Sequence, residues 1–179
     1  MSEIQIRPTV ATDLTRLMGM DHSVTSESVW QLEFRRDSGQ VATTFREVRL
    51  PRAIQIQYPH NRFALADDWI KRSMMYTALM GADPAGYISL LERGTASTVW
   101  VIDLAIDAPS RRKGVASALL AAGQAWAESR AHRRFIMEMQ SKNVAAIRLA
   151  QKSGFEFCGY NDQYYLNKDV ALFFAKVLK

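Results

Sequence analysis

The sequence contains a single cysteine, Cys158, and three histidines that are scattered along the chain. One thiol cannot form an internal disulfide, and no group of cysteines and histidines has the spacing of a metal site. No segment approaches the roughly 20 consecutive apolar residues that cross a bilayer. Residues 1–7 also lack the apolar region of a secretory signal. We therefore expect a cytoplasmic protein without a metal ion and without a membrane contact.

Internal repeats, low-complexity segments and linkers are also missing from the sequence. Its 179 residues, of which 48% are hydrophobic, suffice for a sizeable core. This predicts a single soluble domain over residues 1–179. We divide it into a variable, acceptor-side region at 21–74 and a binding core at 75–179.

The formal net charge is +5, which is compatible with a nucleic acid, with an anionic cofactor, or with ordinary surface composition. The cations are dispersed, apart from clusters at 111–113 and 130–134. No basic stripe is interleaved with aromatic residues, as in proteins that bind single-stranded nucleic acid. The charge therefore favours an anionic cofactor and gives no separate support to a nucleic-acid partner.

The segment from Val99 to Ala125 is the most informative part of the chain. Val99–Ile106 is apolar and β-branched, as in a strand that is covered on both faces. Pro109 ends that strand. From Val115 onward, apolar residues recur at the spacing of one helical face. The pattern predicts a buried strand, a basic turn and a helix.

The turn carries Arg111, Arg112, Lys113 and Gly114 directly before the helix. The first amides of a helix have no internal partner, and the helix dipole adds positive charge there. Gly114 lets the backbone approach a ligand, and Ala116 and Ser117 keep the first turn small. These features favour a phosphate or pyrophosphate site. The alternative is a solvated basic turn that only caps a core helix.

Two motifs resemble signatures of the GNAT (general control N-acetyltransferase) superfamily. The first is Arg111-x-x-Gly114-x-Ala116, which follows an Ile-Asp-Leu-Ala-Ile strand. The second is the segment from Asn143 to Gly154-Phe155, which starts with an asparagine and ends in Gly-Phe. The resemblance covers residues 75–179 well and the first part of the chain loosely. The last third is most similar to small-molecule acetyltransferases of the streptothricin-resistance type.

This resemblance implies an N-acetyltransferase that uses acetyl-CoA as co-substrate. The acceptor would be a primary amine of a small molecule or a peptide. The amides of 112–117 would hold the pyrophosphate, the backbone of 104–106 would pair with the pantetheine arm, and the Ile106 amide would face the acetyl carbonyl. The residues implied to bind the cofactor are Leu104, Ala105, Ile106, Arg111, Arg112, Lys113, Gly114, Val115, Ala116, Ser117 and Asn143.

The catalytic side chains depart from the common family pattern. Ile102 stands where many relatives have a glutamate, and Ala150 where many have a tyrosine. Our primary candidates are Asp103 as base and Tyr160 as acid. Glu92 and Glu138 are alternative bases, and Tyr164 and Tyr165 are alternative acids. The same departures leave open a non-catalytic sensor that binds acyl-CoA.

Asp103 is predicted on a buried strand, where an unpaired carboxylate is costly. It is therefore either functional or held by a structural hydrogen bond. The three histidines, His22, His60 and His132, are predicted at the surface. His60 alone is expected near the acceptor.

The remaining patterns predict an α/β fold with a mixed, largely antiparallel sheet and, from the resemblance, a splayed strand pair. A helix follows the first strand, and hairpins are predicted around a turn at 36–40 and around a turn at 81–86. A loop is predicted over 93–97, and further strands over 135–140, 155–160 and 170–178. The apolar run at 172–174 suggests a homodimer through the last strands.

Overall fold

The computed structural model describes residues 3–93 and 97–179. The loop predicted over 93–97 therefore lies largely outside the described residues. The strands are β1 (Ile4–Pro8), β2 (Val24–Asp37), β3 (Gln40–Ile56), β4 (Met74–Met80), β5 (Asp83–Arg93), β6 (Thr98–Ile106), β7 (Arg134–Gln140), β8 (Glu156–Asn161) and β9 (Ala171–Val177). The helices are α1 (Leu14–Gly19), α2 (Leu65–Asp68), α3 (Val115–Ser129) and α4 (Val144–Lys152). Among the described helices, each is too short or too polar to cross a membrane.

Seven strands form one sheet in the order β1-β4-β5-β6-β7-β9-β8. β6 and β7 run parallel, and the other neighbours are antiparallel. A parallel pair needs a crossover, and α3 supplies it. The predicted mixed, largely antiparallel α/β fold is confirmed.

The sheet opens between β6 and β7. Their pairing runs from Thr98 opposite Arg134 to Val101 opposite Met137, although β6 continues to Ile106 and β7 to Gln140. On the other side of β6, Ser89 pairs with Asp103 and Leu90 with Val101, so Ile102 is the extra residue of a β-bulge. A bulge bends its strand and redirects side chains. The splayed strand pair is confirmed, and the bulge lies where the splay begins.

The main core lies between this sheet and the helices α3 and α4. Leu119 and Ile147 are fully buried in it. Gly123 lets α3 approach the sheet closely, since a Cβ there would lie 3.1 Å from Phe135 Cζ. Leu172 and Phe174 also belong to this core. β9 pairs on both sides, with β7 and with β8. Leu172 and Phe174 are therefore internal, and the half-buried Phe173 packs on Trp100 and Tyr164, which removes the reason given for a dimer through this run.

The hairpin around 36–40 is confirmed and is longer than predicted. β2 and β3 form a separate two-stranded sheet, called the arm below, with Gly39 in the left-handed region (φ +73°) at its turn. Trp30 packs on Phe174 and Phe45 on Tyr160, with ring centroids 6.0 and 5.2 Å apart. These contacts place the arm across the β8–β9 end of the main sheet.

The predicted turn at 81–86 is too long. Met80 pairs with Asp83, so Gly81 and Ala82 alone form the turn, and Gly81 has the positive φ that such a turn needs. Pro84 lies beside a register irregularity, where its missing amide is tolerated. Gly86 belongs to β5, because a Cβ there would lie 2.6 Å from the Ala105 carbonyl oxygen. Close backbone approach, rather than a turn, accounts for this glycine.

Candidate functional site

A cleft of about 1200 Å³ occupies the opening between β6 and β7. The start of α3 and one face of α4 line it, together with the root of the arm and residues 58–60. Ten of the eleven predicted cofactor residues line this cleft: Leu104, Ala105, Ile106, Arg111, Arg112, Gly114, Val115, Ala116, Ser117 and Asn143. The eleventh, Lys113, is exposed beside it.

The loop before α3 has the backbone of an anion site. Arg112 and Gly114 are both left-handed, with φ of 63° and 91°, and Gly114 is the N-cap residue of the 15-residue helix. Ala118 N donates to Gly114 O at 3.0 Å, so the first intrahelical bond leaves the amides of Val115, Ala116 and Ser117 without helical partners. Alternating backbone conformations and a helix N-terminus together concentrate donors at one point.

Arg111 holds this loop in place. Its Nε donates to the Ile106 carbonyl at 3.0 Å and its Nη2 to the Asp21 carbonyl at 2.6 Å. Two of its donors thus join the end of β6 to the segment after α1. The rest of the guanidinium and the loop amides remain available for the predicted phosphate.

The ladder on the β5 side determines where the β6 backbone points. Asp107 N donates to Ala85 O at 2.9 Å, and Ala105 lies opposite Tyr87 two residues earlier. Antiparallel residues alternate in the direction of their N–H and C=O groups. Ala105 therefore faces β5, whereas Leu104 and Ile106 direct their backbone groups into the gap. The cleft therefore has backbone donors on β6 and the unpaired amides of the α3 N-terminus at its end.

Asn143 begins α4 as its N-cap, with Oδ1 accepting from Ala146 N at 3.1 Å. Farther along this helix, Val144, Arg148 and Lys152 also line the cleft. Arg148 and Lys152 were not predicted as site residues, although successive spacings of four residues from Val144 predict a shared helix face. Arg148 Nη2 lies 2.8 Å from Glu47 Oε1 of the arm, which connects the arm to α4.

Asp103 lies under the cleft in a dense hydrogen-bond cluster. Tyr58 Oη and Ser89 Oγ donate to its two oxygens. His60 Nδ1 lies 3.2 Å from Oδ1, and Arg72 Nη2 lies 3.5 Å from Oδ2. Burial alone would raise the pKa of Asp103, but the hydrogen bonds from His60, Ser89 and Tyr58 outweigh it, so the pKa is lowered. Asp103 is an ionised anchor whose oxygens are already engaged, which makes it a poor direct base.

A side pocket of about 350 Å³ adjoins the cleft at Tyr58, His60 and Ile102. Its outer wall is the segment from Asn61 to Arg72, which contains α2. Within this wall, short 3-10 turns at Arg62–Ala64 and Trp69–Lys71 flank α2. No sequence pattern links Tyr58 and His60 to β6, because their contacts with Asp103 span more than 40 residues.

His22 differs from the surface prediction, whereas His60 is exposed as expected. His22 is 7% exposed and lines the cleft. Its Nδ1 lies 2.9 Å from the Met20 carbonyl and its Nε2 3.1 Å from Tyr87 Oη. Burial lowers the pKa of His22. The prediction was wrong for this residue, because the chain after α1 turns inward beneath Tyr87.

The alternative catalytic residues are widely separated. Glu92 binds Arg130 and His132, at 2.6 and 2.9 Å, whereas Glu138 lines the cleft. Of the three tyrosines, Tyr165 lines the cleft. Tyr160 instead lies on β8, with its Oη 2.9 Å from Thr43 Oγ1 of the arm. The structure thus places Asp103 in the side pocket that adjoins the predicted cofactor residues, and places Tyr160 apart from them.

The two departures from the family pattern also have clear positions. Ile102 lies at the bulge and lines both the cleft and the side pocket. Ala150 is fully buried on α4, inside the main core. Neither side chain carries a group that can transfer a proton.

Known proteins share this architecture. A nourseothricin acetyltransferase superposes with a TM-score of 0.84 at 22% identity, covering 98% of this chain and 99% of that one. A Bacillus anthracis str. Ames protein, provisionally named a streptothricin acetyltransferase and solved with acetyl coenzyme A, gives 0.77 at 21% identity, covering 98% and 100%. The ribosomal-protein-S18-alanine N-acetyltransferase of Escherichia coli gives 0.70 at 16%, covering 99% and 95%. At these identities the likeness is one of fold.

Comparison with curated proteins gives no match. The family model described as "Acetyltransferase (GNAT) family" matches residues 42–155. This match includes β6, the loop before α3, and α4 up to Phe155. The chain belongs to the GNAT acetyltransferase family.

Proposed function

We propose that this protein transfers the acetyl group of acetyl-CoA to a primary amine. The observation that carries the proposal is the continuous cleft, which joins an anion-binding helix N-terminus to unpaired backbone groups on β6. Acetyl-CoA has the matching order of groups: a pyrophosphate, an amide-containing arm, and a thioester at the end. A solved structure of the same fold contains acetyl coenzyme A.

The cofactor would lie along the cleft in one direction. The amides of 112–117 would bind the pyrophosphate, with Arg111 holding their loop. The pantetheine amides would pair with Leu104 and Ile106, whose backbone groups point into the gap. The thioester would then lie toward the bulge, where β6 is unpaired on both sides, rather than at the Ile106 amide that the resemblance implied.

The chemistry requires a free amine and a stabilised oxyanion. An alkyl amine has a pKa of about 10.4 and is mostly protonated at neutral pH. After it loses a proton, its nitrogen attacks the thioester carbon, and a β6 amide stabilises the oxyanion. The C–S bond then breaks and its electron pair leaves with sulfur. One proton ends on the thiol and one on a base.

The acceptor is proposed to be a small molecule. The side pocket, at about 350 Å³, is at the lower end of the size of small-molecule sites. Its wall comes from the 21–74 region, which we propose shapes acceptor choice. Two similar structures carry the names of nourseothricin and streptothricin acetyltransferases. A peptide acceptor is the alternative, because another similar structure acts on a ribosomal protein.

Two measurements test the proposal. Acetyl-CoA at 100 times its Kd should stabilise the protein by about 2.7 kcal/mol in a thermal shift assay. Thiol release should then identify acceptors in a panel that contains streptothricin, simple diamines and peptides with free N-termini. Turnover with a small amine and none with peptides supports the small-molecule assignment. Absence of any acetyl-CoA stabilisation contradicts the proposal.

A second candidate function is a non-catalytic sensor of acyl-CoA. Ile102 and Ala150 favour it, since both lack a proton-transferring group. The sensor predicts stabilisation by acetyl-CoA without thiol release for any amine of the panel. Turnover above the uncatalysed rate excludes it.

A further inference from the structure

His60 and Asp103 form a histidine–carboxylate pair at the junction of the cleft and the side pocket. His60 Nδ1 lies 3.2 Å from Asp103 Oδ1. The carboxylate is 6% exposed, whereas the imidazole is 38% exposed. The inner end of the pair is thus fixed in the protein and the outer end is open to a ligand.

The partner of each ring nitrogen determines the tautomer. Asp103 is ionised, and an ionised carboxylate only accepts hydrogen bonds. Nδ1 therefore carries the proton and donates it to Asp103. In the neutral ring, this leaves the lone pair on Nε2. Within the described residues, Nε2 has no hydrogen-bond partner, whereas Nδ1 faces Asp103.

Further contacts fix the carboxylate. Tyr58, in the loop after β3, and Ser89, on β5, both donate to Asp103. Burial beside Asp103 raises the pKa of Tyr58, so this phenol remains a donor at neutral pH. A carboxylate held from several sides keeps the imidazole in one orientation, as a base requires.

The position of His60 suits the transfer step. It lines both the cleft and the side pocket, as does Ile102 at the bulge. On the proposed cofactor path, the thioester ends near this bulge. An amine that enters from the side pocket would pass His60 before it reaches the thioester.

We propose that His60 is the general base of this enzyme and that Asp103 is its positioning residue. The proposal rests on the proposed function. In the step, the acceptor nitrogen loses a proton to His60 Nε2. The lone pair of the acceptor nitrogen forms the C–N bond to the acetyl carbon. The C–S bond breaks, and coenzyme A leaves with the electron pair and takes up the second proton. His60 thereby supplies the function for which Ile102 has no group.

His60→Gln tests the proposal. Glutamine fills similar space and retains a hydrogen-bonding amide but cannot accept a proton at neutral pH. We expect kcat to fall about 100-fold or more, the range of general-base catalysis, with the Kd for acetyl-CoA unchanged. His132→Gln is the matched control, because His132 also contacts a carboxylate, Glu92 at 2.9 Å, away from the cleft. The control should retain the wild-type kcat.

The results distinguish a failure of the base assignment from a failure of the proposed function. If wild-type protein is not stabilised by acetyl-CoA, the proposed function fails. If it binds and turns over but His60→Gln retains kcat within about twofold of wild type, the base assignment is overturned. The same holds if Glu138→Gln abolishes turnover and His60→Gln does not.

A second measurement needs no acceptor. Long-range ¹H–¹⁵N NMR spectra of the wild-type protein report which ring nitrogen of each neutral histidine carries the proton. We expect the Nδ1–H form for His60, and a change of its tautomer or ring-nitrogen shifts in Asp103→Asn. A neutral His60 with its proton on Nε2 would overturn the proposal whatever the turnover results.

Discussion

Single residues set the geometry of the proposed anion site, and Gly114 is the clearest case. Its φ of 91° lies in a region that costs other residues about 1–2 kcal/mol. An added Cβ would meet only Ile4 Cδ1, at 3.8 Å. The requirement at this position is therefore conformational, and the space beside it belongs to the cleft.

We predict that Gly114→Glu abolishes stabilisation by acetyl-CoA. The side chain would place a negative charge beside the phosphates and force the loop amides out of alignment. The measurement is a thermal titration with acetyl-CoA. Gly39→Glu is the matched control, since it carries the same left-handed strain at the exposed end of the arm and should bind normally. Wild-type affinity in Gly114→Glu would contradict our placement of the phosphates.

A single tyrosine, Tyr165, is also our candidate for assisting the departing thiolate. Tyr165 is buried and lines the cleft, and burial followed by the nearby Glu138 carboxylate raises its pKa. This phenol stays protonated at neutral pH, so it can donate a hydrogen bond to the sulfur as the thiolate departs. We predict that Tyr165→Phe lowers kcat about tenfold or more. Tyr160→Phe loses only a contact with Thr43 and should retain the wild-type rate. Equal losses in both variants would contradict this choice.

At the scale of elements, one carboxylate joins β1, α1 and β4. Asp13 Oδ2 and Oδ1 accept from Arg7 at 2.7 and 2.8 Å. The Val10 amide and Thr77 Oγ1 also donate to Asp13, at 3.0 and 3.3 Å. The hydrogen bonds from Arg7 exceed the opposing effect of burial, and the pKa of Asp13 is lowered.

A lowered native pKa makes stability depend on pH. The ionised Asp13 makes its full contribution to the free energy of unfolding above the ordinary aspartate pKa of 3.8. That contribution is lost as the pH falls through the lower native pKa. We predict that Asp13→Asn lowers the free energy of unfolding by about 1–3 kcal/mol at pH 7. The difference should shrink below pH 3.8 in urea titrations. Asp83→Asn, in an exposed position, is the control. A difference that does not vary with pH would contradict this role.

Elements defined by local patterns were predictable from the sequence. β6, α3 and α4 have strong periodicity and clear ends, such as Gly154 with φ 80° after α4. Predictions failed where contacts between residues far apart in the sequence determine the local structure. Gly86 lies in β5 because Ala105 approaches it, and His22 is buried because Tyr87 covers it. The same reason hid the pairing of His60 with Asp103, since no periodicity connects a loop to a strand 43 residues away.

At the scale of the whole molecule, part of the formal charge of +5 lies in the cleft. Five cations line the cleft, with three glutamates among them: Arg49, Arg111, Arg112, Arg148 and Lys152, and Glu27, Glu47 and Glu138. A concave cleft of mixed sign suits one compact polyanion. It does not present the continuous basic surface that tracks a nucleic-acid backbone.

This charge distribution predicts that acetyl-CoA raises the Tm and that DNA, another polyanion, does not. At about 0.15 M salt, acetyl-CoA at 100 times its Kd should add about 2.7 kcal/mol, which for a chain of this length raises Tm by about 5–10 °C. Duplex DNA at the same phosphate concentration should leave Tm unchanged, because screening weakens exposed charges more than an enclosed site. Stabilisation by DNA but not by acetyl-CoA would assign the charge to nucleic acid. The cleft between β6 and β7 would then need another explanation.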